Sequence, residues 1–382
     1  VIKVFISCLQ SPISYSIPAY SFWEYYFKNG LNEGGVNWCE GLNLDWAKGL
    51  LLNKGPDFEL WKTDIWERTL DAIKKEPVDI FLSYLYPHMV DESAIAELKR
   101  RGIPCVNFYC DNVRDFSCVP EAFKIFNLNW VPEYEAYIMY TKERVDAINL
   151  PMPMWIAPEM RNNAVEKGQR ISFIGSEDLL RDRFISNINN IANFKVDVYG
   201  KRRGAIQKPH SIKNLISNQF DYIKNLGISS WMNKTVNNFQ ARIGYAEHLK
   251  QLTEFYQGEL TSDDYMHVTR ESMVTVGINR FYDIRLNNRE FKKYSKLRDI
   301  EATMLGACYL TEYTTGLENL FEIGKDVLVY HDERDFIDQI GVLANNLDLR
   351  KQLRINGTSR ALNELSIPVS LLKLFNHLGL KA

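Results

Sequence analysis

Two stretches of this 382-residue chain carry side chains and main-chain groups suited to a phosphorylated, hydroxyl-bearing ligand. In one, Arg298 and Glu301 stand a turn apart on a run of helical composition, so they share a face. A carboxylate has two acceptor oxygens, enough for both hydroxyls of a cis-diol. Thr314, Thr315 and Gly316 then lead into Leu317 and Glu318, where the pattern predicts a second helix beginning near Leu317. The unpaired N–H groups and positive dipole end of a helix start receive anions such as a diphosphate. In the other stretch, Asp111, Asn112, Arg114 and Asp115 follow the apolar run 104–109. Asp111 is a candidate general base, and equally suits a turn or a helix cap. His88, in Tyr-Pro-His-Met-Val after another apolar run, is a second candidate base. Arg298, Arg181, Arg183, Arg280 and Lys296 are the cations available to such an anion.

The surrounding pattern must place these groups. Apolar runs of strand length at 1–8, 78–82 and 104–109 alternate with helical runs at 19–28, closed by Asn29-Gly30, at 63–75, capped by Thr63 or Asp64, and at 91–101. A strand at 128–131 and a helix at 132–144 follow, then an extended, proline-bearing stretch and a polar linker at 158–168. The alternation restarts with a strand at 170–175, a helix at 179–191 and a strand at 195–199. It continues with a helix at 263–271, a strand at 272–278, a helix at 296–305 closed by Gly306, a strand at 307–310 and a last strand at 327–330. Such alternation predicts parallel sheets, with ligand groups gathered beyond the carboxyl ends of the strands. By that rule Asn279 and Arg280 face the crevice. Residues 32–55 read as irregular. The aromatic helix at 19–28 suits either core packing or stacking on a sugar.

The stretch Glu-Ala-Thr-Met-Leu-Gly-Ala-Cys-Tyr-Leu-Thr-Glu-Tyr-Thr-Thr-Gly-Leu-Glu-Asn-Leu-Phe, 301–321, resembles the nucleotide-sugar half of GT-B glycosyltransferases, in particular the spore-maturation-type (CgeB-like) group. The resemblance implies an α/β protein of two Rossmann-like, doubly wound domains facing a cleft. It gives Glu301 to the ribose hydroxyls, and Thr314, Thr315, Gly316, Leu317 and Glu318 to the diphosphate loop. Phe-Ile-Gly-Ser, a downstream arginine and Val-Tyr-Gly are similar in order to the opening of the donor domain. They imply donor roles for Gly175, Ser176, Arg181, Arg183, Tyr199 and Gly200. One departure stands out: many retaining relatives carry a second Glu eight residues before the first, and here that position is Lys293. The implied organisation is an acceptor-side domain at 1–165 and a donor domain at 166–365. A helical insertion near 202–256 and a closing helix at 366–382 that packs back on the first domain complete it.

Composition agrees with two domains: 46% of residues are hydrophobic and 25% charged, with a formal net charge of −2. No apolar run reaches the roughly 18 residues of a membrane span. The start reads as a strand and not as a signal peptide. The six cysteines form no Cys-x-x-Cys pair, so a metal site is not expected and buried thiols of a cytoplasmic protein are. No phosphate-loop, dinucleotide or Asp-x-Asp motif occurs, so the expected enzyme needs neither cofactor nor metal. The expected activity is hexosyl or pentosyl transfer from a nucleotide-diphosphate sugar to a glycan, lipid-linked glycan or protein. Two alternatives are glycosylation of a modified DNA base, served by the basic Lys201–Arg203 start of the insertion, and a non-catalytic module that only binds sugar nucleotide.

Overall fold

A computed structural model describes residues 2–15, 20–161, 165–201, 252–282 and 291–380. The insertion expected near 202–256 lies outside them up to residue 251, including its basic start at Arg202 and Arg203. The chain divides into two compact units, Val1–Pro158 with Ser359–Ala382, and Glu159–Thr358.

The first unit begins with β1 (Lys3–Ser7), α1 (Tyr20–Glu33), β2 (Asn37–Cys39), α2 (Pro56–Lys75), β3 (Ile80–Ser83) and α3 (Glu92–Arg100). β4 (Cys105–Phe108), the single turn α4 (Asn112–Asp115), β5 (Leu128–Trp130), α5 (Tyr134–Lys142) and β6 (Ala147–Ile148) follow. All neighbouring strands run parallel, in the order β2-β1-β3-β4-β5-β6. β1, β3 and β4 are buried on both faces, which is why they read as continuous apolar runs.

The second unit has β7 (Ile171–Ile174), α6 (Leu179–Ile191), β8 (Val196–Tyr199), β9 (Tyr256–Gly258), α7 (Ser262–Glu271) and β10 (Val274–Gly277). After the antiparallel pair β11 (Arg280–Tyr282) and β12 (Phe291–Lys293) come α8 (Leu297–Met304), β13 (Tyr309–Glu312), β14 (Leu328–Tyr330) and α9 (Glu333–Asn345). α10 (Leu347–Glu364) continues past the end of this unit, and α11 (Ile367–His377) belongs to the first. The main sheet runs β14-β13-β10-β7-β8-β9, all parallel. In order of appearance this is the doubly wound 3-2-1-4-5-6 arrangement, whose reversal point lies between β7 and β10.

Four local expectations change. α1 does not stop at Asn29-Gly30 but runs on to Glu33. Gly30 is a packing position: a Cβ there would sit 2.5 Å from Ile367 of α11. α2 starts at Pro56, not at residue 63, because proline at the first helical position gives up only an N–H that has no helical partner. The irregular segment 32–55 contains the edge strand β2. The helix expected from Leu317 is one 3-10 turn, Leu317–Asn319. The chain then turns towards β14 through Gly324 at φ +89, with Asp326 accepting the Glu322 N–H at 2.9 Å.

Candidate active site

In the second unit the carboxyl ends of β7, β10 and β13 carry most of the predicted donor residues. Gly175 directly follows β7 and Gly200 directly follows β8, which ends in Tyr199, and the two glycines touch. Gly200 has φ +125, and a Cβ on it would lie 2.4 Å from the Gly175 carbonyl oxygen. Ser176 and Arg183 are exposed, and Tyr199 is buried. Arg181 stands on the first turn of α6, which Asp178 caps. Its guanidinium lies 5.9 Å from the centre of the Phe173 ring. Arg298, on α8, reaches the same ring at 5.7 Å. Two guanidiniums from separate helices thus converge at the end of β7. Burial opposes the charge on Arg298, but Tyr265, Tyr309, Glu301 and Asp299 outweigh it and hold the pKa above the usual arginine value. One turn along α8, Glu301 accepts a hydrogen bond from the Tyr265 hydroxyl of α7.

Beyond β10, Asn279 and Arg280 are held by buried acids. Asn279 is buried, its amide nitrogen within 3.1–3.4 Å of Thr311 Oγ1, both Asp299 oxygens and the Glu312 carbonyl. Asp299, on α8 and fully buried, also accepts from Tyr309 at 2.7 Å, Thr311 at 2.9 Å and Ser295 at 2.7 Å. Arg280 donates to Glu312 at 2.6 Å and lies between the Phe184 and Phe291 rings at 4.4 and 4.7 Å. Lys293, on β12, closes the cluster 3.0 Å from the same Glu312 oxygen. Asp299 and Glu312 were missed because an acid amid helix or strand residues reads as surface. Ser295, four residues before Asp299, was the available hint. Gly277 is required here, since a Cβ on it would meet the Tyr309 hydroxyl at 2.1 Å.

The loop after β13 puts Thr314 inside, its hydroxyl without a hydrogen-bond partner among the described residues. Thr315 and Glu318 are exposed, and Leu317 is fully buried. Gly316 takes φ +88, open to glycine without a Cβ clash. Leu317 N–H is bonded to Thr314 O at 3.1 Å, so the loop is a closed turn and not the open end of a helix.

In the first unit Asp111 directly precedes α4 in the left-handed region at φ +64, and its side chain makes no cap. Asn112 anchors it from below: its N–H and amide donate to Glu133 at 2.8 and 3.0 Å, and its amide oxygen accepts from Tyr140. Burial, aided by the charge of Asp111, pushes the Glu133 carboxyl up to about 8 against the opposing Asn112 bonds. His88 lies in a 3-10 turn after β3, packed on Phe58. Burial, then Lys54 and Lys62, lower its pKa and favour the neutral ring. All six cysteines are unpaired thiols. Among the described residues no three His, Cys, Asp or Glu side chains cluster as a metal site. No described helix is long and apolar enough to cross a membrane.

Residues 181–367 match a family described as glycosyl transferase-like. Sucrose-phosphate synthase from Thermosynechococcus elongatus shares the fold at TM-score 0.58 and 12% identity over 98% of each chain. The UDP-forming α,α-trehalose-phosphate synthase of Burkholderia xenovorans, in complex with glucose-6-phosphate, does so at TM-score 0.58 and 11% identity, over 99% of this chain and all of that one. Anabaena HepE, in complex with UDP and glucose, gives TM-score 0.57 and 9% identity over 99% and 100%. At such identities the likeness is one of fold, and the fold is GT-B: two Rossmann-like α/β units. No curated protein matches the chain.

Proposed function

We propose that this GT-B chain is a glycosyltransferase that moves a sugar from a nucleotide-diphosphate donor to an acceptor hydroxyl without a metal. The observation that carries the reading is the convergence of Arg181 and Arg298 on Phe173, beside the Gly175–Gly200 contact and one helical turn from Glu301. Glu301 is assigned the ribose hydroxyls, with Tyr265 fixing its carboxylate. The diphosphate is assigned to the two guanidiniums, which meet the charge that develops as it leaves. The loop Thr314–Leu317 lines it. If the reaction inverts, Asp111 or His88 takes the acceptor proton, and the neutral ring of His88 is suited to that step. The finer resemblance to the spore-maturation-type group, hexosyl or pentosyl transfer, and a cytoplasmic setting complete the proposal.

One observation favours a second reading, a module that binds donor without turnover. Lys293 occupies the place of a family carboxylate and is spent, with Arg280, on the buried Glu312. A thermal-shift screen of the full chain against nucleotide sugars tests the proposal, beginning with UDP-glucose. A donor at about 100 times its Kd stabilises by about 2.7 kcal/mol. Released nucleotide or transferred sugar in the same mixtures decides between enzyme and module. A screen without any stabilising nucleotide sugar defeats both.

A further inference from the structure

The amino edge of the second unit's main sheet carries a pocket that the donor assignment does not use. On α10, Leu347, Lys351 and Ile355 recur every four residues, and Arg354 lies on the same helical face. With Val165, Glu166 and Gly306 they line a space of about 260 Å³. Gly306 links α8 to β13, so the pocket lies at the amino ends of the strands, opposite the edge that carries Asn279 and Thr314. An apolar cavity of about 150 Å³ is enough for benzene. Sites for drug-sized ligands begin near about 300 Å³. A nucleotide sugar is too large for this pocket, whereas a single ring with a short arm fits.

Arg354 is 6% exposed, yet its hydrogen-bond partners are neutral. Its Nη1 donates to the Arg270 and Gly306 carbonyls, both at 2.8 Å, and its Nη2 to the Ser272 carbonyl. Its Nε has no hydrogen-bond partner among the described residues. Glu166 stands 3.9 Å from Nη2, but Arg350 already holds that carboxylate through two bonds at 2.9 and 2.7 Å. The Arg350–Glu166 pair cancels, and the charges of Arg354 and Lys351 are left over. A buried cation short of counter-charge favours an anion beside it. Val165, Leu347 and Ile355 are exposed apolar side chains on the same pocket, and covering them favours a ligand with an apolar body. A phosphate ester would bring a second negative charge against Glu166, which a single carboxylate does not. We propose that this pocket binds a small monocarboxylate with an apolar body, its carboxylate paired with Arg354 and Lys351 and its body against Val165, Leu347 and Ile355.

The test is a ligand-observed NMR titration of the full chain with benzoate, 3-phenylpropanoate, cyclohexanecarboxylate and 4-methylpentanoate. Benzyl alcohol, benzylamine and phenyl phosphate are the comparisons. At least one carboxylate is expected to saturate a single site, about ten-fold or more tightly than benzyl alcohol, because charge-assisted bonds exceed neutral ones. Lys351→Gln should weaken that carboxylate about two- to five-fold, the size of a part-exposed ion pair. Ile355→Asp replaces an apolar wall with a like charge and should weaken it about ten-fold or more. Both positions are exposed, so both variants are expected to keep the wild-type melting temperature, which is measured alongside. No saturable binding of any carboxylate overturns the proposal. So does an affinity no better than that of benzyl alcohol, benzylamine or phenyl phosphate, or an affinity unchanged in either variant. The pocket shares no residue with the donor groups, so this outcome does not depend on the nucleotide-sugar screen.

Discussion

Glu133 shows how a single buried carboxyl sets a pH dependence for the first unit. Its folded pKa, about 8, is above the value of an exposed glutamate. The folded state therefore binds more protons than the unfolded one between those values, and stability falls as pH rises. The contribution is complete below the unfolded pKa and is lost as pH passes through about 8. Between pH 6 and 9 we expect the wild type to lose about 2–3 kcal/mol by this route. Glu133→Gln should flatten that slope, whatever its effect at pH 6. Denaturant melts of both proteins at the two pH values check it, and parallel slopes would mean Glu133 is ionised throughout. Glu312 gives the second residue-scale expectation. It is fully buried between Arg280 and Lys293. Glu312→Gln leaves two cations facing one amide, and breaking a buried pair costs about 3–5 kcal/mol. A loss under about 1 kcal/mol in urea unfolding would show the cluster to be solvated.

At the scale of elements, Gly30 reverses an ordinary rule. Alanine in place of a mid-helix glycine normally gains about 1 kcal/mol. Here the new Cβ would lie 2.5 Å from Ile367, and overpacking of that kind costs about 1–3 kcal/mol. Gly30→Ala is expected to lower the melting temperature, and an unchanged or higher value would mean that α11 does not pack on α1 this closely. The same residue explains what sequence reading could reach. The helix at 179–191 was legible to the residue, because Asp178 caps it and its apolar spacing is regular. Gly30 read as a stop because a glycine needed for contact with a segment more than 300 positions away looks like any other. β11 and β12 are three residues each and carry no alternation long enough to notice. The positions of Arg298 and Glu301 on one helical face followed from spacing, but their partners Phe173 and Tyr265 did not, since both come from other elements.

For the whole molecule, two parallel sheets with helices between their strands give the GT-B frame, and the second sheet reverses its winding between β7 and β10. The proposed donor groups surround that reversal, where open α/β sheets hold their ligands. With protein cations assigned to the diphosphate, turnover is expected to persist in EDTA. Complete loss restored only by manganese would replace those cations with a metal. The central claim is that Glu301 and its neighbours bind a nucleotide sugar, and the most direct measurement is a calorimetric titration of wild type and Glu301→Gln with the donor found by screening. Gln offers one acceptor oxygen and brings a donor towards hydroxyls that already donate. The account predicts a loss of about 1.5–3 kcal/mol in affinity, with the unliganded melting temperature little changed. Donor affinity within about 0.5 kcal/mol of wild type, as for an ordinary surface substitution, would contradict it.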